Sequence, residues 1–178
     1  MSRQSTTDEG GPRADGMPML GLGTWRNDDP EACAEAVATA LDAGYRHVDT
    51  AQAYGNEAHV GRGIERADVP REDVFLATKV WIDRLAYDDV LASVEESLRK
   101  LGVDAVDLLY VHWPAGEYDP AGTLRAFDEL VDAGTVDRVG VSNFEPEQVD
   151  AAIDRTDAPI FANQVEVHPL LPQTELRA

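Results

Sequence analysis

The sequence predicts an α/β fold built on a parallel sheet, of the (β/α)8 barrel type, with only about six of the eight β/α units present. Strand-like apolar stretches alternate with helix-like patterns along the 178 residues. One strand–helix unit recurs about every 30 residues, as βαβ crossovers require. No Gly-x-Gly-x-x-Gly motif follows a strand, since Gly21-Leu22-Gly23 and Gly61-Arg62-Gly63 both lack the third glycine. An open dinucleotide-binding sheet therefore loses its main support, and the barrel is favoured.

The strands are predicted from runs rich in Val, Leu or Phe that turn residues bound. These runs cover residues 19–25, 46–51, 74–81, 107–113, 138–144 and 162–168. Side chains alternate between the two faces of a strand. In the third run this alternation places Lys79 on the same side as Phe75 and Ala77.

The helices between these strands are predicted from capping residues and apolar periodicity. Asp29 and Pro30 form an N-cap and first-turn pair that opens a helix ending at Gly44. Apolar residues recur at helical spacing before Gly102, at Val90, Leu91, Val94, Leu98 and Leu101. A fourth helix ends at Gly134, and a fifth begins after Pro146.

The domain organisation is predicted to be simple, with a disordered tail over residues 1–16 and a partial barrel over residues 17–178. The tail lacks an apolar segment of the kind that a secretory signal needs. No apolar run approaches the roughly 18 residues of a membrane span. The lone Cys33 cannot form an internal disulfide, which favours a reducing cytoplasm.

The charge balance is strongly acidic. Asp and Glu number 34 against 15 Lys and Arg, for a formal net charge of −19. A chain of this charge repels phosphate backbones and anionic membrane surfaces, so neither nucleic acid nor a membrane is an expected partner. The acids are scattered, and the only lysines are Lys79 and Lys100. A lysine-poor acidic surface favours a halophile, because concentrated salt screens the self-repulsion.

The three tryptophans, Trp25, Trp81 and Trp113, all stand at the ends of predicted strands. In a parallel α/β barrel, catalytic groups cluster at the C-terminal ends of the strands. Three large aromatic side chains at that rim predict an apolar mouth that excludes water and holds an organic substrate.

Four polar residues, Asp49, Tyr54, Lys79 and His112, converge on the same rim. A buried Asp–Lys pair would keep Lys79 protonated, and the cation would lower the pKa of the Tyr54 phenol until it served as a general acid near neutral pH. His112 could donate or steer a hydrogen bond to a substrate oxygen. The plainer interpretations are a helix cap for Asp49, a lysine that reaches solvent, and a hydrogen-bonded buried histidine.

With these residues in view, the sequence resembles the aldo-keto reductase family. GYRHVDTA at 44–51, followed by Glu57 and by Val60-Gly61, matches that family's first signature. TKVW, LGVDAVDLLYVHWP, GVSNF and NQVEVHP match further family segments in order. The resemblance runs from about Met17 to the last residue.

The resemblance implies the reversible reduction of an aldehyde or ketone by NADPH, with NADH left open, and with no metal required. Its implied catalytic residues are the proton donor Tyr54, the activating pair Lys79 and Asp49, and the carbonyl-orienting His112. The implied pocket for the nicotinamide carboxamide consists of Thr24, Asp49, Ser142, Asn143 and Gln164. The implied substrate walls are Trp25, Trp81 and Trp113, together with His112.

Two alternatives stay open. Six strands leave two unpaired sheet edges, so the first alternative is a non-catalytic truncated remnant or a partner-completed subunit. The free chain is expected to be unstable, to associate through those edges, or to be a fragment of a longer gene product. A metal-dependent hydrolase that uses Asp49, His112 and His168 is disfavoured, because the sequence has no H-x-H or H-E-x-x-H ligand pair.

Overall fold

A parallel six-stranded sheet forms the centre of the computed structural model, which describes residues 11–177. An antiparallel hairpin of β1 (Arg13–Ala14) and β2 (Met17–Pro18) precedes it. The strands of the sheet are β3 Leu22–Gly23, β4 His47–Asp49, β5 Phe75–Val80, β6 Leu108–Val111, β7 Val139–Ser142 and β8 Ile160–Gln164. Each strand pairs with the next one along the chain, in the order β3-β4-β5-β6-β7-β8. A crossover therefore follows every strand but the last, as the repeat predicted.

Helices provide these crossovers within the described part of the chain. They are α1 Pro30–Asp42, α2 Glu57–Arg66, α3 Tyr87–Leu101, α4 Pro120–Asp132 and α5 Pro146–Ile153. The predicted cap of α1 is confirmed, because the Asp29 carboxylate accepts from the backbone N–H groups of Glu31 and Ala32 at 3.1 and 2.8 Å. Gly102 closes α3 with a φ of 70°, a left-handed conformation that glycine adopts without steric cost.

The central strand β5 is buried along its whole length. Its Leu76 and Val80 belong to the large cluster that the helices cover. On the opposite side, a smaller interior cluster consists of Phe75, Ala77, Leu108 and Tyr110. Lys79 shares that interior side, as alternation predicted, and this is the reason that its ammonium group can reach the site without crossing the helical layer.

Two glycines let α2 approach its neighbours closely. A Cβ at Gly61 would lie 2.4 Å from the carbonyl oxygen of Leu101, at the end of α3. A Cβ at Gly63 would lie 2.7 Å from the carbonyl oxygen of Ala34 on α1. Both distances are far below van der Waals contact with a backbone atom, so a larger residue at either position would push α2 outward.

The structure corrects three predictions at the ends of the chain. The last strand covers Ile160–Gln164 and not 162–168, because Gln164 pairs with Ser142, where β7 ends and the ladder stops. The first strand of the sheet shrinks from 19–25 to two residues. Residues 11–16, predicted as disordered, include β1 of the hairpin; residues 1–10 of that predicted tail lie outside the described residues.

The sheet has two outer strands in the described residues, since β3 pairs only with β4 and β8 only with β7. All five residues of β8 are half-buried, in contrast to the fully buried β5, β6 and β7. None of the helices within residues 11–177 has the length and apolar character needed to cross a membrane.

Candidate active site

The carboxyl ends of the parallel strands open into a cleft of about 820 Å³. Its lining consists of Trp25, Asp49, Ala53, Tyr54, Trp81, His112, Trp113, Ser142, Asn143, Gln164, Val165 and Glu166. Every site residue predicted from the sequence lies on this lining except Thr24 and Lys79. The structure therefore gathers residues that are up to 141 positions apart, from Trp25 to Glu166, at one rim.

Lys79 lies beneath the cleft and is 1% exposed. Its Nζ atom lies 2.5 Å from Oδ1 of Asp49 and donates a second hydrogen bond to the carbonyl oxygen of Thr50 at 2.9 Å. Burial lowers the pKa of Lys79, and the neighbouring Asp49 carboxylate acts in the opposite direction. The pair places a shielded ammonium group under the floor of the cleft.

Tyr54 ends a short 3₁₀ helix, Gln52–Tyr54, which Gly55 terminates with a φ of 68°. The Lys79 Nζ atom lies 5.3 Å from the centre of the Tyr54 ring. Burial, and then the Asp49 carboxylate, raise the pKa of Tyr54 to about 12. The predicted lowering of this pKa is therefore wrong. Desolvation of the phenolate, together with the Asp49 carboxylate, outweighs the Lys79 ammonium, whose Nζ atom lies 5.3 Å from the ring centre.

His112 follows β6 and lies between two aromatic rings. Its ring centre is 4.9 Å from that of Trp81 and 5.8 Å from that of Tyr54, both edge to face. Burial, followed by the charge of Lys79, lowers the pKa of His112 to about 4. The imidazole is consequently neutral at physiological pH. Its buried Nδ1 atom has no hydrogen-bond partner among the described residues.

The amide wall of the cleft consists of Ser142, Asn143 and Gln164, which lie at or just after the ends of β7 and β8. Gln164 Nε2 donates to Asp49 Oδ2 at 3.0 Å, and Ser142 Oγ donates to the backbone carbonyl oxygen of Gln164 at 2.8 Å. Asn143 Nδ2 donates to the backbone carbonyl oxygen of His112 at 3.0 Å. Asn143 adopts a φ of 62°, a left-handed conformation that asparagine tolerates better than most residues. Together these bonds fix β7, β8 and the end of β6 around one side of the cleft.

The tryptophans form the mouth. Trp25 is 65% exposed and Trp113 is 46% exposed, whereas Trp81 is half-buried against His112. Large exposed aromatic groups around a cleft supply apolar contact area for an organic ligand.

Thr24 does not line the cleft, in contrast to the prediction. Its side chain is 1% exposed, and its hydroxyl donates to the backbone carbonyl oxygen of Asp49 at 3.2 Å. Thr24 therefore supports the Asp49 backbone from below.

Sequence reasoning missed a supporting group behind the cleft. Asn56 Nδ2 donates to the backbone carbonyl oxygens of Thr24 and Asn27 at 2.8 and 3.2 Å, and Asn56 Oδ1 accepts from the Thr50 hydroxyl at 3.2 Å. Glu57, which follows it, is 2% exposed. Glu57 stood in the recognised signature, but nothing in the sequence distinguished a buried carboxyl from a solvated helix-start residue.

The residues of the disfavoured hydrolase do not come together. His168 is outside the cleft lining, and its Nε2 atom lies 2.9 Å from the Glu166 carboxylate. Across residues 11–177, no group of three or more His, Cys, Asp or Glu side chains is arranged to hold a metal ion.

Comparison with known proteins points to one family. The sequence model of the Aldo/keto reductase family matches residues 19–178. An aldo-keto reductase of Mycolicibacterium smegmatis is 47% identical over 99% of this chain and 63% of its own length. A glyoxal reductase of Bacillus subtilis is 39% identical over 90% of this chain and 58% of its own length.

Solved structures of the same kind share the fold. Bombyx mori aldo-keto reductase in complex with NADP superposes with a TM-score of 0.85 at 34% identity, over 90% of this chain and 58% of that one. The predicted fold class is confirmed by these neighbours. The chain spans about 60% of the length of the relatives it matches.

Proposed function

The chain belongs to the aldo/keto reductase family, and on that basis we propose that it carries the site at which an aldehyde or ketone is reduced to an alcohol with NADPH, or alternatively NADH. The observation that carries the proposal is the convergence of Tyr54, His112 and the Lys79–Asp49 pair on one cleft. These groups supply a proton, a hydrogen-bond donor and a fixed charge, which are the parts that carbonyl reduction requires.

Tyr54 is the proton donor in this proposal. With its pKa raised to about 12, the phenol stays protonated at neutral pH. An alkoxide that forms at the carbonyl oxygen, as the carbonyl carbon accepts hydride, is a stronger base than a phenolate, so proton transfer from Tyr54 to that oxygen is favourable. The Lys79 ammonium, 5.3 Å from the ring centre, then stabilises the phenolate that is left.

His112 orients the carbonyl group. A neutral imidazole carries one N–H, and that group can donate to the oxygen that Tyr54 protonates. The edge-to-face contacts with Trp81 and Tyr54 hold the ring in place. An imidazolium is not available at neutral pH, since the pKa of His112 is lowered to about 4.

The amide wall fits a nicotinamide carboxamide. No protein hydrogen bond within the described residues uses Asn143 Oδ1 or Gln164 Oε1, and both residues line the cleft. These two acceptors match the two N–H donors of a primary amide, and the second hydrogen of Gln164 Nε2, whose first is given to Asp49, is a donor for the amide oxygen. The Ser142 hydroxyl gives its hydrogen to the Gln164 backbone and holds this side of the cleft in place. The cofactor would supply hydride to the carbonyl carbon when bound.

The substrate is proposed to be a small organic carbonyl compound held between Trp25, Trp81 and Trp113. The acidic, lysine-poor surface supports a cytoplasmic protein of a halophilic cell, which functions in concentrated salt.

The two free sheet edges favour a second candidate. Strands β3 and β8 each have one neighbour among the described residues, and β8 contributes Gln164 to the amide wall. In this second candidate, β8 lacks a neighbouring strand to hold the amide wall in place. The chain then keeps Tyr54, Lys79, Asp49 and His112 but has no turnover, either as a remnant or as a subunit that a partner completes.

The experiment that separates these candidates is NADPH oxidation with a reactive aldehyde, in concentrated KCl, by the 178-residue chain. Tyr54→Phe removes the proton donor. Tyr45→Phe is the matched control, because Tyr45 is also half-buried but precedes β4, at the opposite end of the strand. Turnover that Tyr54→Phe abolishes and Tyr45→Phe retains supports the reductase. Folded protein without turnover supports the second candidate.

A further inference from the structure

A buried carboxylate behind the cleft is held by hydroxyl groups. Glu57 is 2% exposed. The Thr78 hydroxyl donates to Oε1 at 2.8 Å, and the Ser97 hydroxyl donates to Oε2 at 3.2 Å. Burial raises the pKa of Glu57, and the two hydroxyl donors oppose that shift. A desolvated carboxylate persists only where such partners stabilise it.

The hydrogen bonds continue from Ser97 to the helix that carries Tyr54. Gln52 Nε2 donates to Ser97 Oγ at 3.1 Å. Gln52 Oε1 accepts from the backbone N–H of Trp81, also at 3.1 Å. Gln52 is the first residue of the 3₁₀ helix that ends at Tyr54. One connected set of bonds therefore ties this helix to α2, to α3 and to the end of β5.

The direction of each bond follows from the backbone N–H of Trp81, which can only donate. Gln52 must therefore present its oxygen to Trp81 and its NH2 group to Ser97. The Ser97 hydroxyl accepts from Gln52, and its one hydrogen is given to Glu57. Trp81 thereby fixes which way the Gln52 side chain faces, and Ser97 and Glu57 complete the set.

We propose that Gln52 is a positioning residue for Tyr54, held in register by Ser97 and Glu57. The inference rests on the proposed function, in which Tyr54 donates the proton. Thr78, which anchors the other Glu57 oxygen, immediately precedes Lys79, and Trp81 contacts His112. The network thus sets the Tyr54 helix against both of the groups with which the phenol must act. A displacement of about 1 Å at a reacting group can cost about a hundredfold in rate.

The chain offers a matched pair of serines for the test. Ser97 and Ser93 lie one turn apart on α3 and are 1% and 5% exposed. The Ser93 hydroxyl donates to the backbone carbonyl oxygen of Val90 and forms no hydrogen bond with Gln52 or Glu57 among the described residues. Ser97→Ala breaks the network, whereas Ser93→Ala makes the same chemical change outside it. Gln52→Leu, at a half-buried position, breaks the network without opening the core.

Two readouts are measured on the 178-residue chain in concentrated KCl. The first is kcat and KM for a reactive aldehyde with NADPH. The second is the 19F NMR spectrum of protein labelled with 3-fluorotyrosine, in which Tyr54→Phe assigns the Tyr54 signal among the five tyrosines. The second readout needs neither cofactor nor turnover.

In Ser97→Ala and Gln52→Leu we expect a shifted or broadened Tyr54 signal and a kcat lower by about tenfold to a hundredfold, with KM changed by less than about twofold. Ser93→Ala should match the parent chain in both readouts. If Ser97→Ala and Gln52→Leu also match the parent signal and kcat, the positioning role is overturned, even in an active reductase. If the parent has no turnover but the signal moves only in those two variants, the positioning of Tyr54 stands and the proposed activity of this chain fails.

Discussion

The Nζ atom of Lys79 and the Oδ1 atom of Asp49 lie 2.5 Å apart at the floor of the cleft, in a chain that has only one other lysine. The lysine side chain is 1% exposed and the aspartate side chain 15%. The other lysine, Lys100, forms an exposed pair with Glu96 one turn away on α3. The chain therefore carries one buried and one surface ion pair of the same chemical kind.

Replacement of each lysine by methionine should show how differently the buried pair and the surface pair affect the free energy of unfolding. Lys79→Met leaves the Asp49 carboxylate without its cation and should lower the free energy of unfolding by about 3 kcal/mol, in addition to abolishing aldehyde reduction. Lys100→Met should change it by no more than about 0.5 kcal/mol. Urea unfolding of the three proteins measures both values. Equal effects of the two substitutions on the free energy of unfolding would show that the buried Lys79–Asp49 pair stabilises the fold no more than the exposed pair does.

His112 should make the stability depend on pH. Its pKa is lowered from 6.5 to about 4 on folding, so the unfolded chain binds more protons between these values. The free energy of unfolding then rises with pH through this window, and the contribution is lost as the pH falls through it. His112→Gln should remove a pH-dependent difference on the order of 3 kcal/mol, seen by urea unfolding at several pH values. His168→Gln, outside the cleft, is the control for the loss of a histidine as such.

Tyr54 should ionise well above an ordinary tyrosine. Burial raises its pKa from 10.0 to about 12. The phenolate absorbance of the parent minus that of Tyr54→Phe should therefore titrate with a midpoint near the raised value. Because the folded-state pKa exceeds the unfolded one, the stability that this group contributes is lost as the pH rises through that range. A midpoint below 10.0 would instead reinstate the lowering that the sequence predicted.

Salt should stabilise the fold. The net charge of −19 acts against compaction, and the screening length falls from about 10 Å at 0.1 M salt to about 3 Å at 1 M. We expect the melting temperature to rise steeply with KCl concentration in thermal scans. Sucrose at matched osmolality, which does not screen charge, serves as the control. A melting temperature that stays flat in KCl would contradict the halophilic interpretation.

The edges of β3 and β8 that have no partner strand within residues 11–177 should promote association between copies of this chain. Unpaired backbone groups on an edge strand are a template for pairing with another strand, and Leu170 beyond β8 is 91% exposed. Sedimentation velocity in concentrated KCl should therefore show dimers or larger species that increase with protein concentration. A single monomeric boundary at all concentrations would exclude this form of association.

The interior elements could be predicted more sharply than the outer ones. Helix α3 follows from its apolar spacing and Gly102, and α1 from Asp29 and Pro30, because capping and periodicity are local properties of the chain. The limits of β8 could not be predicted in this way. They depend on the partner strand, since the ladder stops where β7 ends at Ser142, and the described residues beyond Gln164 add no further pair to that ladder.

The residues that line the site could be predicted from the sequence, but the directions of their pKa shifts could not. Strand ends and the family signature located Asp49, Tyr54 and His112, and all three line one cleft. The sign of the Tyr54 pKa shift depends on how closely Asp49 sits on Lys79 and on how much water the phenol loses, and neither is encoded in spacing. The role of Thr24 also could not be predicted from spacing, because the spacing does not show that its hydroxyl turns inward to the Asp49 backbone.

The open sheet also implies a gradient of local unfolding. Amide hydrogens of β5 and β6, buried and paired on both sides, should exchange with solvent only through global opening, whereas those of β3 and β8 should exchange through smaller, more frequent fluctuations. Gln164 lies on a strand of the second kind, and Lys79 on one of the first. The side of the cleft proposed for the nicotinamide can therefore open locally while the side that carries Lys79 stays folded. A ligand can then enter through the β8 side without displacing the residues that hold the proton donor Tyr54.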